Sequence, residues 1–237
     1  MGAKIAHLDR QRVLGTMSAS LGHELTQPLG AILLSAGSAQ RGVLGGSVDT
    51  VKLTEFLDAI VDSTRRASKI IERIRSFIRP SEIKREEVDL ELVVLGVMAL
   101  IAREARSGKI AVSCQLSTPG VQVAGDPTQL SQVILNLFRN AIEAMSSVAQ
   151  RELNVSLVRH GGHAVLRIRD TGPGLSAQAL AQAGEPFFTT KAGGLGMGLS
   201  ISRTIIKQFN GTFSIKNADE GGAVVELTWP ALDTHAS

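Results

Sequence analysis

The fold class predicted is α plus α/β. An antiparallel helical hairpin pairs with a second copy into a dimeric four-helix bundle, and an α/β sandwich follows, a mixed sheet with helices on one face. Three observations in the 237-residue sequence predict it. Apolar residues recur at three- and four-residue steps through the first third of the chain. Pro80 then interrupts that pattern. Beyond it, short alternating runs and helical stretches take turns, as in a sheet with helices packed on it. The boundaries drawn from this are a helical hairpin over residues 1–79, a linker over 80–87 and the sheet domain over 88–237.

The first helix is predicted from about Asp9 to Arg41, with Leu14, Met17, Ser18, Leu21, Leu25, Pro28, Leu29, Ile32 and Ala36 along one side. A Gly-rich break, Gly42 to Asp49, separates it from a second helix over Thr50 to Arg79. That helix carries Phe56, Leu57, Ile60, Ile70, Ile74 and Phe77. Two such helices have too little partner surface to cover both stripes, so a homodimer is expected. Val88-Asp89-Leu90 reads as a short strand and Leu90 to Arg106 as a helix. Strands follow at Ile110–Ser117 and Val121–Ala124. Asp126-Pro127 opens a helix that runs to about Met145, the carboxylate capping it and the proline in its first turn. Glu152–Arg159 and His163–Arg169 form a hairpin around Gly161-Gly162. A Gly-rich segment from Gly172 to Gly198 leads to a helix over Leu199–Phe209. A last hairpin pairs Thr212–Lys216 with Ala223–Trp229.

Composition narrows the function classes. A formal net charge of +3, with Lys and Arg spread along the chain and no basic stripe interleaved with aromatics, argues against a nucleic-acid partner. Cys114 is the only cysteine, so an intramolecular disulfide is impossible and a reducing, cytoplasmic location is expected. No apolar run approaches the roughly 20 residues of a membrane span, and no leader peptide is expected. No membrane contact is therefore expected from this segment, although a sensor or membrane region upstream in a longer parent is compatible with it.

Chemistry-bearing residues cluster in two places. His23 lies nine residues after Leu14, which at about 100° per residue turns it roughly 180° from the apolar stripe, toward solvent. Gln27 falls one turn later, and Glu24 is adjacent and able to hold a proton or orient the ring. An exposed imidazole is partly neutral near pH 7 and can act as a nucleophile. Taken alone, such a histidine is as readily an ordinary surface residue. Further along, Gln132, Asn136 and Asn140 recur at four-residue steps in an otherwise apolar helix. Their amide oxygens suit Mg2+ or phosphates, or simply a hydrated face. Asp170-Thr171-Gly172-Pro173-Gly174 places a carboxylate at a strand end before glycines. Glu185 to Lys191 holds Phe187, Phe188, Thr190 and Lys191, and Gly193 to Ile201 holds Gly194, Leu195, Gly196, Gly198 and Leu199. Glycines before a helix let backbone N–H groups approach phosphate oxygens. The spacing is neither a Walker A loop nor a dinucleotide fingerprint.

Together these strings resemble two-component sensor histidine kinases. His23-Glu24-Leu25-Thr26-Gln27-Pro28-Leu29 is similar to the H-box, Asn136 to Ala141 to the N-box, Asp170 to Gly174 to the first glycine box, Glu185 to Lys191 to the F-box and Gly193 to Ile201 to the second glycine box. The resemblance implies ATP-dependent phosphorylation of His23 and transfer of the phosphoryl group to an aspartate on a response-regulator receiver domain. It implies Glu24 as the assisting acid, Asn140 as the Mg2+ ligand, Asn136 placing phosphates and Asp170 reading adenine beside Gly172 and Gly174. Phe187 and Phe188 would anchor a cover over ATP. Thr190, Lys191, Gly194, Leu195, Gly196, Gly198 and Leu199 would surround the phosphates. Gln27 departs from the Thr or Asn that helps many members position a dephosphorylating water. Related gyrase-type ATPases carry Glu where this chain has Asn136, so transfer to a histidine is favoured over hydrolysis. A dimeric scaffold that binds regulators without kinase activity is the non-enzymatic alternative.

Overall fold

In a computed structural model, residues 22, 25–46, 49–78, 84–116, 120–186, 188–191 and 196–232 are described, without the side chains of residues 69 and 72–78. His23, Glu24, Phe187, Gly194 and Leu195 lie outside them. The chain divides into two compact units, Met1–Ser81 and Glu82–Ser237.

The first unit is helical. Helix α1 covers residues 25–44, and the chain turns at Gly45-Gly46, where the Gly45 amide donates to the Arg41 carbonyl at 2.9 Å. The helix thus runs on through Gly42, where the sequence suggested a break. One glycine near a helix end costs only about 1 kcal/mol, too little to stop it. Helix α2 spans Thr50–Ile78. Asp49 caps it, its Oδ1 accepting from the Lys52 amide at 2.8 Å. Pro28, Ser63 and Ala67 are buried, whereas Leu33, Leu34, Leu44, Val51, Leu57 and Ile71 are exposed. The apolar stripes are thus only partly covered within one chain.

The second unit carries a five-stranded sheet and a two-stranded one. Strand β1 is Glu86–Asp89, α3 is Leu90–Ser107, β2 is Ala111–Leu116, β3 is Gln122–Gly125 and α4 is Pro127–Ala144. After a 3-10 turn at Met145–Ser147 come β4, Glu152–His160, and β5, His163–Asp170. Helix α5 is Ala177–Gln182, α6 is Gly198–Gln208, β6 is Thr212–Asn217 and β7 is Ala223–Pro230. The large sheet runs β2-β4-β5-β7-β6, parallel between β2 and β4 and antiparallel elsewhere. The small sheet pairs β1 with β3, Val88 opposite Val123.

Local chemistry sets the boundaries. Leu90, read both as the end of a short strand and as the start of a helix, opens α3, because Asp89 Oδ1 accepts from the amides of Glu91 at 2.9 Å and Leu92 at 3.4 Å. Glu86 and Glu87, placed in the linker by sequence, pair in β1. Asp126 caps α4 as its position suggested, taking the Thr128 and Gln129 amides at 2.9 and 3.2 Å. The short helix α5 and the 3-10 turn were not foreseen. Along β4 and β5, Leu153, Val155, Leu157, Ala164, Leu166 and Ile168 alternate into the core beneath the helices, joining Phe138 and Trp229. The opposite face is polar, with Arg167 Nη2 paired to Glu226 Oε2 at 2.7 Å. Full burial of one such aliphatic side chain stabilises by about 1.5–3 kcal/mol, so this layer anchors the strand ends from which the site is built.

Candidate functional site

Asp170 ends β5 at the edge of the core and is 8% exposed. Its Oδ1 accepts from the Gly172 amide at 2.8 Å and the Ala223 amide at 3.3 Å. Both bonds fall on Oδ1, which leaves the other oxygen for an outside donor. Burial pushes the carboxyl above its ordinary value, against the two amide bonds that favour the charged form. The turn between β6 and β7 presses directly on this strand end. At Gly222, with φ of +85°, an added Cβ would sit 1.8 Å from the Asp170 carbonyl oxygen, so only glycine fits there. Arg169 Nη2 holds that turn by pairing with Glu220 at 2.8 Å, which lowers the Glu220 carboxyl below its usual range.

The loop after Asp170 is fixed by a residue that sequence reading missed. Asn217, at the end of β6, accepts from the Leu175 amide and donates to the Leu175 carbonyl, both at 2.8 Å. Gly174 backs onto the same side chain. The sequence gives no local sign of this clasp, because its partners stand 42 positions apart.

Helix α4 supplies the second wall. Asn136 and Asn140 are half-buried, and Gln132, on the same side of the helix, is exposed. Asn136 Nδ2 donates to Ser202 Oγ on α6 at 3.1 Å. Asn140 Oδ1 accepts from the Lys191 ammonium at 3.2 Å, and Glu143 Oε2 meets the same ammonium at 2.5 Å. Lys191, expected to reach phosphates, is held here against α4, and Glu143 is a partner that the motif reading did not include. Thr190 is exposed, and Phe188 and Leu199 are half-buried. Helix α6 begins at Gly198, and among the described residues no side chain caps its first turn, so its leading N–H groups suit an anion. Gly196 lies just before it.

Among the described residues, no group of three or more His, Cys, Asp or Glu is placed to hold a metal. A Mg2+ ion carried by phosphates needs only one or two protein oxygens. Asn140 Oδ1 and Glu143 Oε2 already gather one cation, the Lys191 ammonium, so Asn140 fits that task. In the helical unit Gln27 is exposed, while the expected placements of His23 and Glu24 fall outside the described residues. Asp170, Gly172, Gly174, Asn136, Asn140, Lys191, Gly196 and Gly198 all lie within the second unit. Among the described residues, no helix is long and apolar enough to cross a membrane.

Comparisons with known proteins bear on both units. The family described as His Kinase A (phospho-acceptor) domain matches residues 13–82. The family described as Histidine kinase-, DNA gyrase B-, and HSP90-like ATPase matches residues 125–233. The sensor protein FixL of Bradyrhizobium diazoefficiens is 35% identical over 98% of this chain and 46% of its own length. The C4-dicarboxylate transport sensor protein DctB of Pseudomonas aeruginosa is 35% identical over 94% of this chain and 37% of its own. The chain therefore spans less than half the length of these curated relatives. Among solved structures, the mycobacterial sensor histidine kinase MprB aligns with a TM-score of 0.56 at 27% identity, covering 62% of this chain and 98% of that one. Histidine kinase ThkA, solved in complex with the response regulator protein TrrA, aligns over 95% of this chain and 64% of that one, with a TM-score of 0.77 at 24% identity.

Proposed function

The chain belongs to the two-component sensor histidine kinases, and from that premise we propose that it phosphorylates its own His23 from ATP and passes the phosphoryl group to an aspartate of a response-regulator receiver domain. The observation that carries the reading is the grouping, in one ATPase-like domain, of a buried carboxylate, two amides one turn apart and an uncapped helix start, behind a phosphoacceptor-type helical unit.

In this reading Asp170 accepts the adenine amino group through its free oxygen, while Gly172 and Gly174 keep the loop clear of the base. Asn140 holds Mg2+, with Glu143 beside it, and the ion supplies charge neutralisation on the phosphates. Lys191 exchanges its contact with Asn140 and Glu143 for the phosphate oxygens. The leading amides of α6 and the segment Gly194–Gly196 face the same charge. Phe187 and Phe188 seat the covering segment, with Thr190 and Leu199 beside the phosphates. His23 then forms a bond from its ring nitrogen to the γ-phosphorus as the bond to the ADP oxygen breaks, the electron pair leaving with ADP. Glu24 holds the proton on the other ring nitrogen. Asn136 offers an amide rather than a base, so no group at that position activates water. Gln27 lies where the receiver domain would meet His23.

The reading extends to a homodimer through the exposed residues of α1 and α2, to domains over residues 1–79 and 88–237 joined by 80–87, and to a cytoplasmic location. Incubation of the full chain with Mg2+ and γ-labelled ATP, followed by mass spectrometry, is expected to find an acid-labile phosphate on His23. H23Q should lose it and still bind an ATP analogue. Label retained in H23Q would refute the assignment.

A further inference from the structure

We propose that Ser202, a residue of α6 outside every nucleotide motif, positions Asn136 and thereby sets the phosphate end of the site; this rests on the nucleotide reading above. Ser202 is 1% exposed, and its Oγ accepts from Asn136 Nδ2 at 3.1 Å across 66 positions of sequence. A hydroxyl so deep in the fold is retained where it has a partner, and here the partner is a site amide.

The other end of that amide is equally constrained. A Cβ built on Gly198 would lie 2.6 Å from Asn136 Oδ1 and 3.1 Å from Nδ2. Asn136 is therefore wedged between the first residue of α6 and a hydroxyl four residues later on the same helix. With Nδ2 on Ser202, Oδ1 lies against Gly198, so the amide is held between the two positions. Positions 198 and 202 are one helical turn apart, so the contact registers α4 against the opening turn of α6. That turn carries the uncapped N–H groups. A shift of α4 against α6 would move those donors relative to Asn140 on the same α4, and phosphate contacts would weaken. The adenine end would be spared, because Asp170 is held by Gly172, Ala223 and the β6–β7 turn instead.

This separation gives a readout that loss of stability alone would not produce. Affinities of the full chain for a non-hydrolysable ATP analogue and for adenosine are measured by calorimetry in wild type, S202A, N136A and the double variant. S202A removes one part-buried hydrogen bond, so the analogue is expected to bind about fivefold more weakly, with adenosine within twofold of wild type. In the N136A background the same serine change should add less than twofold, since its partner is gone. G198A supplies a second route, because its methyl group displaces the same amide, and it should show the same selective loss. Equal loss of analogue and adenosine, an undiminished S202A effect in N136A, or analogue binding by S202A within twofold of wild type would each overturn the role of Ser202. Wild-type chain that binds neither ligand would overturn the nucleotide reading itself, a distinct result.

Discussion

Asp170 shows how one carboxylate carries opposing demands. A buried charge is costly, and burial holds its carboxyl above the ordinary value of 3.8. A group with a raised folded value contributes stability below its unfolded value and loses that contribution as pH rises through the folded one. Ionising Asp170 therefore lowers the stability of the fold relative to its protonated form. Asn keeps an oxygen for the Gly172 and Ala223 amides, so D170N is expected to raise the melting temperature at pH 7, with the gain shrinking toward about pH 4, while ATP-analogue affinity falls. Thermal melts at the two pH values, with calorimetry for the nucleotide, check both halves. Lys191 and Glu143 form a half-exposed pair, and such pairs contribute only about 0–1 kcal/mol. E143Q should therefore leave the melting temperature almost unchanged; a large drop would mean that the contact is structural. Asp170, Asn136 and Asn140 could be singled out as candidates in the sequence because each sits in a short pattern with its neighbours. Ser202, Asn217 and Glu143 were not, because their partners stand 66, 42 and 48 positions away and no local periodicity marks such pairs.

Among the elements, the two faces of the central hairpin differ in what they tolerate. Leu166 is fully buried on β5, and its neighbour Arg167 points to the polar face and pairs with Glu226. L166A is expected to cost about 2–5 kcal/mol and R167A under about 1 kcal/mol, measured by urea unfolding with constant slope. β4 and β5 were readable within a residue or so, since their alternation matches a half-covered sheet. Other elements were less so. β1 has four residues, and its partner strand lies more than thirty positions on, from Gln122 to Gly125, so its start could not be seen from propensity. The six residues of α5 are too few to show a helical period. The extension of α1 through Gly42 to Leu44 went unseen because glycine weakens a helix without forbidding it.

For the whole molecule, the first unit has too little of itself to cover its apolar surface. Leu33, Leu44 and Val51 are 75%, 81% and 68% exposed in one chain. A homodimer is the expected remedy, and light scattering should give about twice the 25.1 kDa of one chain. Asp at both Leu57 and Val61, which are 51% and 45% exposed on α2, should shift the mass toward the monomer. The division into a helical part and a mixed sheet was legible because the two periodicities change at Pro80. The placement of Trp229 has a practical corollary. It is the only tryptophan, no tyrosine accompanies it, and it lies 1% exposed in β7. Intrinsic fluorescence excited at its absorption edge is therefore a private channel to the second unit. Its emission should redden when that core opens, so fluorescence times the melting of the second unit, and far-UV circular dichroism of the same unlabelled sample follows the helices of both.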